Sequence, residues 1–287
     1  MKPRHWLTLA VLLLTAFPGW AAKTAEDSGP GKAKEPMTAL VLCAIHGSHL
    51  DRRFEYSLAR MAQAIRMIRP DIVCGEVAAE EADTALRGLF PPEQAFVEDV
   101  CRTTGVRFIP CDWRGPETEA DRAYDAMSLA EREAFDKAGS SFLSEIPHDP
   151  AVFFEWLHTD GARSIDRGQE ERVRLGTEVA NGFSIARNQM IVKRALNAAG
   201  VAGARRILFV YGTAHKASIE RILTEVYGVR VESVPSVPAV AAETVPSAVL
   251  RAWVAARARL QKTLDDPQCP EPVRKRIRDS RRIAELG

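Results

Sequence analysis

Four apolar runs in this chain each give way, at their carboxyl end, to residues able to do acid–base or metal chemistry. The first ends in His46-Gly47-Ser48-His49 and the second in Cys74-Gly75-Glu76. The third ends in Asp112-Trp113-Arg114 and the fourth in Tyr211-Gly212-Thr213-Ala214-His215. Alone, a histidine or glutamate in such a place is more often a hydrogen-bonding or capping group than a reactive one. Gathered after successive runs they mean more, because open parallel sheets bind ligands beyond the carboxyl ends of their strands. Neutral imidazoles with a carboxylate suit a zinc, manganese or cobalt ion. They suit metal-free general base catalysis equally, and spacing does not separate the two. One more patch belongs with them. Ser184, after Asn181-Gly182, reads as the N-cap of a helix running to Ala199 and stopped by Gly200. Arg187 and Asn188 then fall in its first turn, where backbone N–H groups and the helix dipole favour anions. Such a pair can hold a carbonyl or a developing oxyanion. His148 and His158 fall in a helical stretch and are expected away from this edge.

The elements that must position these residues alternate regularly. Ala39 to Ile45 is a continuous apolar run, as expected of a parallel strand buried on both faces. Phe54 to Ile68 has a helical period through Leu58, Met61, Ala62, Ile65 and Ile68, and Arg69-Pro70 ends it. Further strands are expected over 72–75, 106–110, 207–211 and 229–234, and helices over 78–87, 92–103 and 215–227. The expected fold is α/β, a mostly parallel central sheet covered by helices, with a helical insertion (about 116–199) between strands three and four. Gly139, Pro147, Pro150, Gly161 and Gly182 break that insertion into separately packed helices. Residues 235–287 read as a linker and C-terminal helices, with Val249, Leu250, Trp253, Leu260 and Leu264 on a docking stripe.

Composition narrows the field without naming a function. Of 287 residues, 46% are hydrophobic and 27% charged, ample for a core, and the formal charge of +1 gives no field that would call for nucleic acid. Lys2, Arg4 and His5 precede an apolar run of about 12 residues, Trp6 to Phe17, broken by Pro18-Gly19. That is short for a bilayer and right for a signal peptide over residues 1–22, with small residues at Ala21 and Ala22 for cleavage. Residues 23–36 read as a flexible tether and 37–234 as the α/β domain. A periplasmic or secreted protein is expected, with no membrane span once the signal is removed. Arg274, Lys275, Arg276, Arg278, Arg281 and Arg282 form a basic end, read as a solvated face or a contact with an anionic envelope surface. Five cysteines (Cys43, Cys74, Cys101, Cys111 and Cys269) show no zinc spacing, and Cys43 and Cys74 read as buried small hydrophobes.

The motifs together resemble the superfamily of TraB/PrgY pheromone-shutdown proteins, GumN-like proteins and Tiki proteases, with erythromycin esterases and ChaN-like proteins as distant relatives. Pro70-Asp71-Ile72-Val73-Cys74-Gly75-Glu76, Arg187-Asn188-Gln189-Met190 and Gly212-Thr213-Ala214-His215 follow the family order over residues 39 to about 234. Cys43 stands where the family's first Gly-x-x-His element has glycine, and His46-Gly47-Ser48-His49 looks instead like the His-Gly stretch of the esterases. The resemblance implies a metal-dependent hydrolase acting on peptide or amide bonds of a peptide or small-molecule substrate. His46, Glu76 and His215 would hold a zinc, manganese or cobalt ion, Arg187 and Asn188 would steady the carbonyl, and Asp112 or His49 would support the ligands or shuttle protons. The esterase-like alternative has His46 or His49 as a metal-free base oriented by Glu76. A third, non-catalytic alternative is a haem-binding protein in which a histidine or Tyr211 holds the iron.

Overall fold

The computed structural model describes residues 36–81, 91–240 and 244–279. The expected signal peptide, nearly all of the tether, most of the helix expected over 78–87, and Arg281 and Arg282 lie outside the described residues. Strands β1 (Thr38–Ala44), β2 (Ile72–Ala78), β3 (Arg107–Asp112), β4 (Arg206–Gly212) and β5 (Arg230–Val231) form one parallel sheet in the order β3-β2-β4-β1-β5. Among the described residues the helices are α1 (Leu58–Ile68), α2 (Glu93–Thr104), α3 (Glu117–Asp125), α4 (Leu129–Ser140), α5 (Phe153–His158), α6 (Asp160–Leu175), α7 (Ser184–Ala202), α8 (Lys216–Arg221), α9 (Ser247–Asp265) and α10 (Glu271–Asp279). The α/β fold with a parallel sheet is therefore as expected, and α3 to α7 stand between β3 and β4.

Strand alternation sorts the core into two faces. Leu40, Leu42, Val73, Leu208 and Val210 pack with residues of α1, α2, α5 and α9. Ala39, Val41, Ile72, Cys74, Ile207, Phe209 and Tyr211 pack on the other side with α7 and α8. Helices on both faces are why β1 is buried at every position and apolar from Ala39 onward. Each fully buried Leu, Ile, Val or Phe stabilises the fold by roughly 1.5–3 kcal/mol. The five cysteines are free thiols, four of them buried. Burial pushes the Cys43 thiol up to about 12, as suits a small hydrophobe.

Local signals account for most boundaries. The Ser57 side chain accepts the Arg60 N–H, so α1 starts at Leu58, later than Phe54, where its apolar period begins. Arg69 closes α1 in the left-handed region (φ 50°) just before Pro70. Asp71 accepts the N–H groups of Arg205 and Arg206 at 2.6 and 2.8 Å, which pins the start of β2 to the start of β4. β5 is shorter than expected, pairing Arg230 and Val231 with Thr38 and Ala39. Glu232 N–H adds a last bond to Ala39 O, and Pro235, lacking a donor, follows soon after. On α9 the buried stripe is Val249, Trp253, Ala256 and Leu260; Leu250 lies off it and is exposed. Trp253 Nε1 donates to Pro92 O at 2.8 Å, which docks α9 on the start of α2. On α10, Arg274 and Arg278 pair with Glu271, and Lys275 lies 3.8 Å from Asp121. No helix among the described residues is long and apolar enough to cross a membrane.

Candidate functional site

β2, β4 and β1 are neighbours, so their carboxyl ends open at one place. Ala44 pairs with Gly212 and Gly75 with Val210, which brings the residues following each strand to the same level. Glu76 sits where the β2–β3 ladder is irregular, between Gly75 and Ala78. Its N–H donates to Gln94 Oε1 at 3.0 Å, and its Oε2 accepts the Gly212 N–H at 2.8 Å. Gly212 lets His46 approach closely: a Cβ there would stand 2.8 Å from His46 Nε2 and 3.4 Å from Glu76 Oε2. His46 follows β1 with φ 52°, a left-handed conformation that costs a side-chain-bearing residue about 1–2 kcal/mol. Strain of this kind at a strand end collects where a side chain must be aimed.

Two buried partners aim the two imidazoles. His46 Nδ1 is 3.0 Å from Glu93 Oε1; the histidine side chain is 37% exposed and the glutamate 0%. His215 Nδ1 lies 2.6 Å from Asn188 Oδ1, and its Nε2 is 3.8 Å from Glu76 Oε1. With Asn188 Oδ1 accepting the Nδ1 proton, His215 turns an unprotonated nitrogen toward the Glu76 carboxylate. Burial, aided by Arg187, pushes the His215 pKa down to about 4. Burial opposes ionisation of Glu76, but His46, His215, Arg187 and the Gly212 N–H outweigh it and hold the carboxyl well below its usual range. Glu93 behaves alike, burial being overcome by His46. Among the described residues its buried Oε2 accepts no hydrogen bond, and His46 is the imidazole hydrogen-bonded to it through Oε1.

Arg187 binds Asp112 with two parallel bonds of 2.8 Å and reaches Glu76 Oε1 at 3.1 Å. Asp112 is fully buried, with both oxygens on Arg187, and its place is to hold that guanidinium. Carboxylate charge outweighs burial and raises the Arg187 pKa further. The helix start carrying Arg187 differs from the expected one. Phe183, at φ 57°, precedes α7 and gives no side-chain cap; Glu178 accepts the N–H groups of Ile185 and Ala186 instead. An internal carboxylate thus fills the anion site expected at that terminus, and Ser184 donates to the same Glu178. α7 continues to Ala202 and ends at the left-handed Gly203, because Gly200 keeps helical geometry.

His46, Glu76, His215, Arg187, Asn188 and Asp112 are therefore brought together. His49 is not. Its Nε2 accepts the Ile45 N–H at 3.0 Å and its Nδ1 donates to Tyr56 O at 2.8 Å, so the backbone uses both nitrogens. Burial lowers its pKa to about 4. Tyr211 is fully buried on the α7 side and its hydroxyl donates to Gly75 O, which leaves it no route to a haem iron. His158, expected away from the strands, lies against β1 and accepts the Cys43 N–H at 2.9 Å through Nε2. Sequence reading missed Glu93 and Gln94. An acid in the first turn of a helix ordinarily just meets the helix dipole, and only Pro91-Pro92 before it marks the turn that aims it inward.

No protein-family model, curated protein or solved structure matches the chain.

The donor types suit a divalent ion, and a bound one would have to displace partners that Glu76 already has. Arg187 and the Gly212 N–H already engage the two Glu76 oxygens. Among the described residues no group of three or more His, Cys, Asp or Glu side chains is arranged to hold a metal ion. Above the residues stands a cavity of about 470 Å³, floored by His46, Glu76, Arg187, Gly212 and His215 and walled by residues of the insertion. That volume is in the range of small-molecule sites.

Proposed function

We propose that the chain is a hydrolase of peptide, amide or ester bonds in which His46 is the general base. The observation that carries this reading is the buried Glu93 carboxylate on Nδ1 of a part-exposed His46 whose Nε2 lies over Gly212 beside Glu76. Glu93 accepts the Nδ1 proton, which selects the tautomer whose lone pair is on Nε2, the base-and-orienter arrangement of activated nucleophiles. Nε2 takes a proton from water, the hydroxide oxygen bonds to the substrate carbonyl carbon, and Glu93 stabilises the imidazolium that forms. Arg187, fixed by Asp112, offers positive charge to the carbonyl oxygen as it becomes an oxyanion. When the carbon–nitrogen or carbon–oxygen bond breaks, the Nε2 proton passes to the departing atom. His215, held by Asn188, faces the same water and accepts its second hydrogen as a bond. The orienting carboxylate is thus Glu93, where the sequence suggested Glu76.

Metal dependence, the reading that the family resemblance implies, keeps one specific support. The bare His215 Nε2 and Glu76 Oε1 face each other across 3.8 Å, and a proton donor or a cation between them would satisfy both. It requires Arg187 to release Glu76. A panel of fluorogenic peptide anilides and esters, assayed on protein dialysed against chelator, separates the two. We expect activity to survive chelation and His46→Gln to lower kcat by about 10²–10⁴-fold. Activity lost on chelation and restored by zinc, manganese or cobalt would replace the base reading with the metal one. His46→Gln within threefold of the parent would end both. Export to the periplasm or outside is part of the same proposal, supported by the basic start and apolar run of residues 2–17. N-terminal sequencing of the envelope fraction should find a chain beginning near Ala22 or Lys23.

A further inference from the structure

Resting on the hydrolase reading, we infer that the substrate carries an apolar chain on the acyl side of the scissile carbonyl. Two chambers meet at the site. The larger, about 470 Å³, and a smaller one of about 300 Å³ share only Glu76 and Arg187 among their lining residues. His46 and Arg187 both line the larger chamber, so a carbonyl placed between them sits in it.

The chambers differ in chemistry. Beyond its polar floor the larger is walled by Phe54, Phe142, Leu143, Ile146, Phe153 and Trp156. Phe54 and Phe153 rings lie 5.0 Å apart and Phe153 and Trp156 5.8 Å, a continuous aromatic wall. Leu143 stands 57% exposed at this wall. The smaller chamber is lined by Arg114, Arg187 and Glu76, with Gly115 and Phe183 in close contact beside them. A small polar substrate would leave the aromatic wall wet, whereas each methylene buried on it is worth about fourfold in binding. An acyl chain of a lipid and an apolar side chain of a peptide share this chemistry.

The test has a binding arm and a turnover arm. In the first, tryptophan emission of full-length His46→Gln protein is titrated with octanamide and with N-acetylphenylalaninamide. A saturable change is expected that disappears in a Trp156→Phe background and weakens at least fivefold with Leu143→Asp, a substitution at an exposed position. In the second, parent protein hydrolyses p-nitrophenyl acetate, butyrate and octanoate, and anilides of acetyl-glycine, acetyl-leucine and acetyl-phenylalanine. We expect kcat/KM to rise at least tenfold along one series, and which series rises tells the acyl chain from the side chain. Turnover indifferent to chain and side chain would overturn this inference and leave the hydrolase standing. Saturable binding without turnover of any substrate would leave the apolar chamber standing and overturn the hydrolase. Neither binding nor turnover would overturn both.

Discussion

Acid should destabilise this protein well before its carboxylates titrate. His49, His158 and His215 are buried and neutral, with pKa values pushed down to about 4, 3 and 4, chiefly by burial. In the unfolded chain each returns to about 6.5. Between those limits the unfolded state binds more protons, so stability present above pH 6.5 is lost as pH falls toward the folded pKa. At pH 5, about 1.5 units below the unfolded value, each histidine costs about 2 kcal/mol, and the three about 6 kcal/mol together. A domain of this size has about 5–15 kcal/mol in all. At about 2–4 °C per kcal/mol, the melting temperature should fall by about 12–24 °C between pH 7.5 and pH 5. Glu76 acts in a separate window, because its lowered folded pKa gives stability that fades only below about pH 4.3. The assay is thermal unfolding by circular dichroism in steps of half a pH unit, on the parent and on His158→Gln. The glutamine amide oxygen can still accept the Cys43 N–H but does not titrate, so that variant should lose about a third of the pH dependence. A parent melting temperature flat within 3 °C from pH 7.5 to 5 would refute the reasoning.

Three further outcomes follow from the site's packing. Arg187→Met strips buried Asp112 of both its bonds and should cost about 3–5 kcal/mol. Adding Asp112→Leu should restore most of it in thermal melts, and a single variant within 2 °C of the parent would show that the pair holds nothing. Gly212→Ala places a Cβ 2.8 Å from His46 Nε2, a part-exposed ring that can swing aside. It should melt within about 1 kcal/mol of the parent while kcat falls at least tenfold. Gly75→Ala meets Phe108 at 2.2 Å and Gln94 at 2.6 Å inside the core and should instead destabilise by about 1–3 kcal/mol.

What the sequence made legible is what period and punctuation carry. The apolar runs at 39–45 and 207–211 read as strands covered on both faces, and the rule that ligands gather beyond strand ends then led to His46, Glu76 and His215. What stayed hidden depends on contacts between distant segments. Glu93 looks like any acid in a first helical turn, and only the docking of α2 on β2, where Gln94 accepts the Glu76 N–H, turns it to His46. Ser184 has the right type for a cap, but Glu178, six residues earlier, outcompetes it with a full charge and two oxygens. His49 has the neighbours of a catalytic histidine and is consumed by its own backbone.

The fate of His49 and His158 follows from the shortness of β5. Both backbone groups of a strand residue point toward the same neighbour in a parallel ladder, and β5 covers β1 only as far as Thr38 and Ala39. Higher on that edge, side chains do the work of the missing strand. His158 accepts the Cys43 N–H, the Tyr56 hydroxyl donates to Cys43 O at 2.6 Å, and His49 accepts the Ile45 N–H. Buried backbone groups left unpaired would each cost about 1–3 kcal/mol, so these substitutions keep β1 ordered up to the residue before His46. Each histidine does this only while neutral, since its other nitrogen already donates, to Phe154 O in one case and Tyr56 O in the other. Protonation would set N–H against N–H at Cys43 and Ile45. α5, which carries Trp156 of the cavity wall, would then part from the strand that carries the proposed base. Activity should therefore fall with acid at the same pH at which the fold begins to loosen, even where most molecules are still folded. If activity instead holds at pH 5 while amide exchange shows Cys43 and Ile45 opened, the edge of β1 does not position His46.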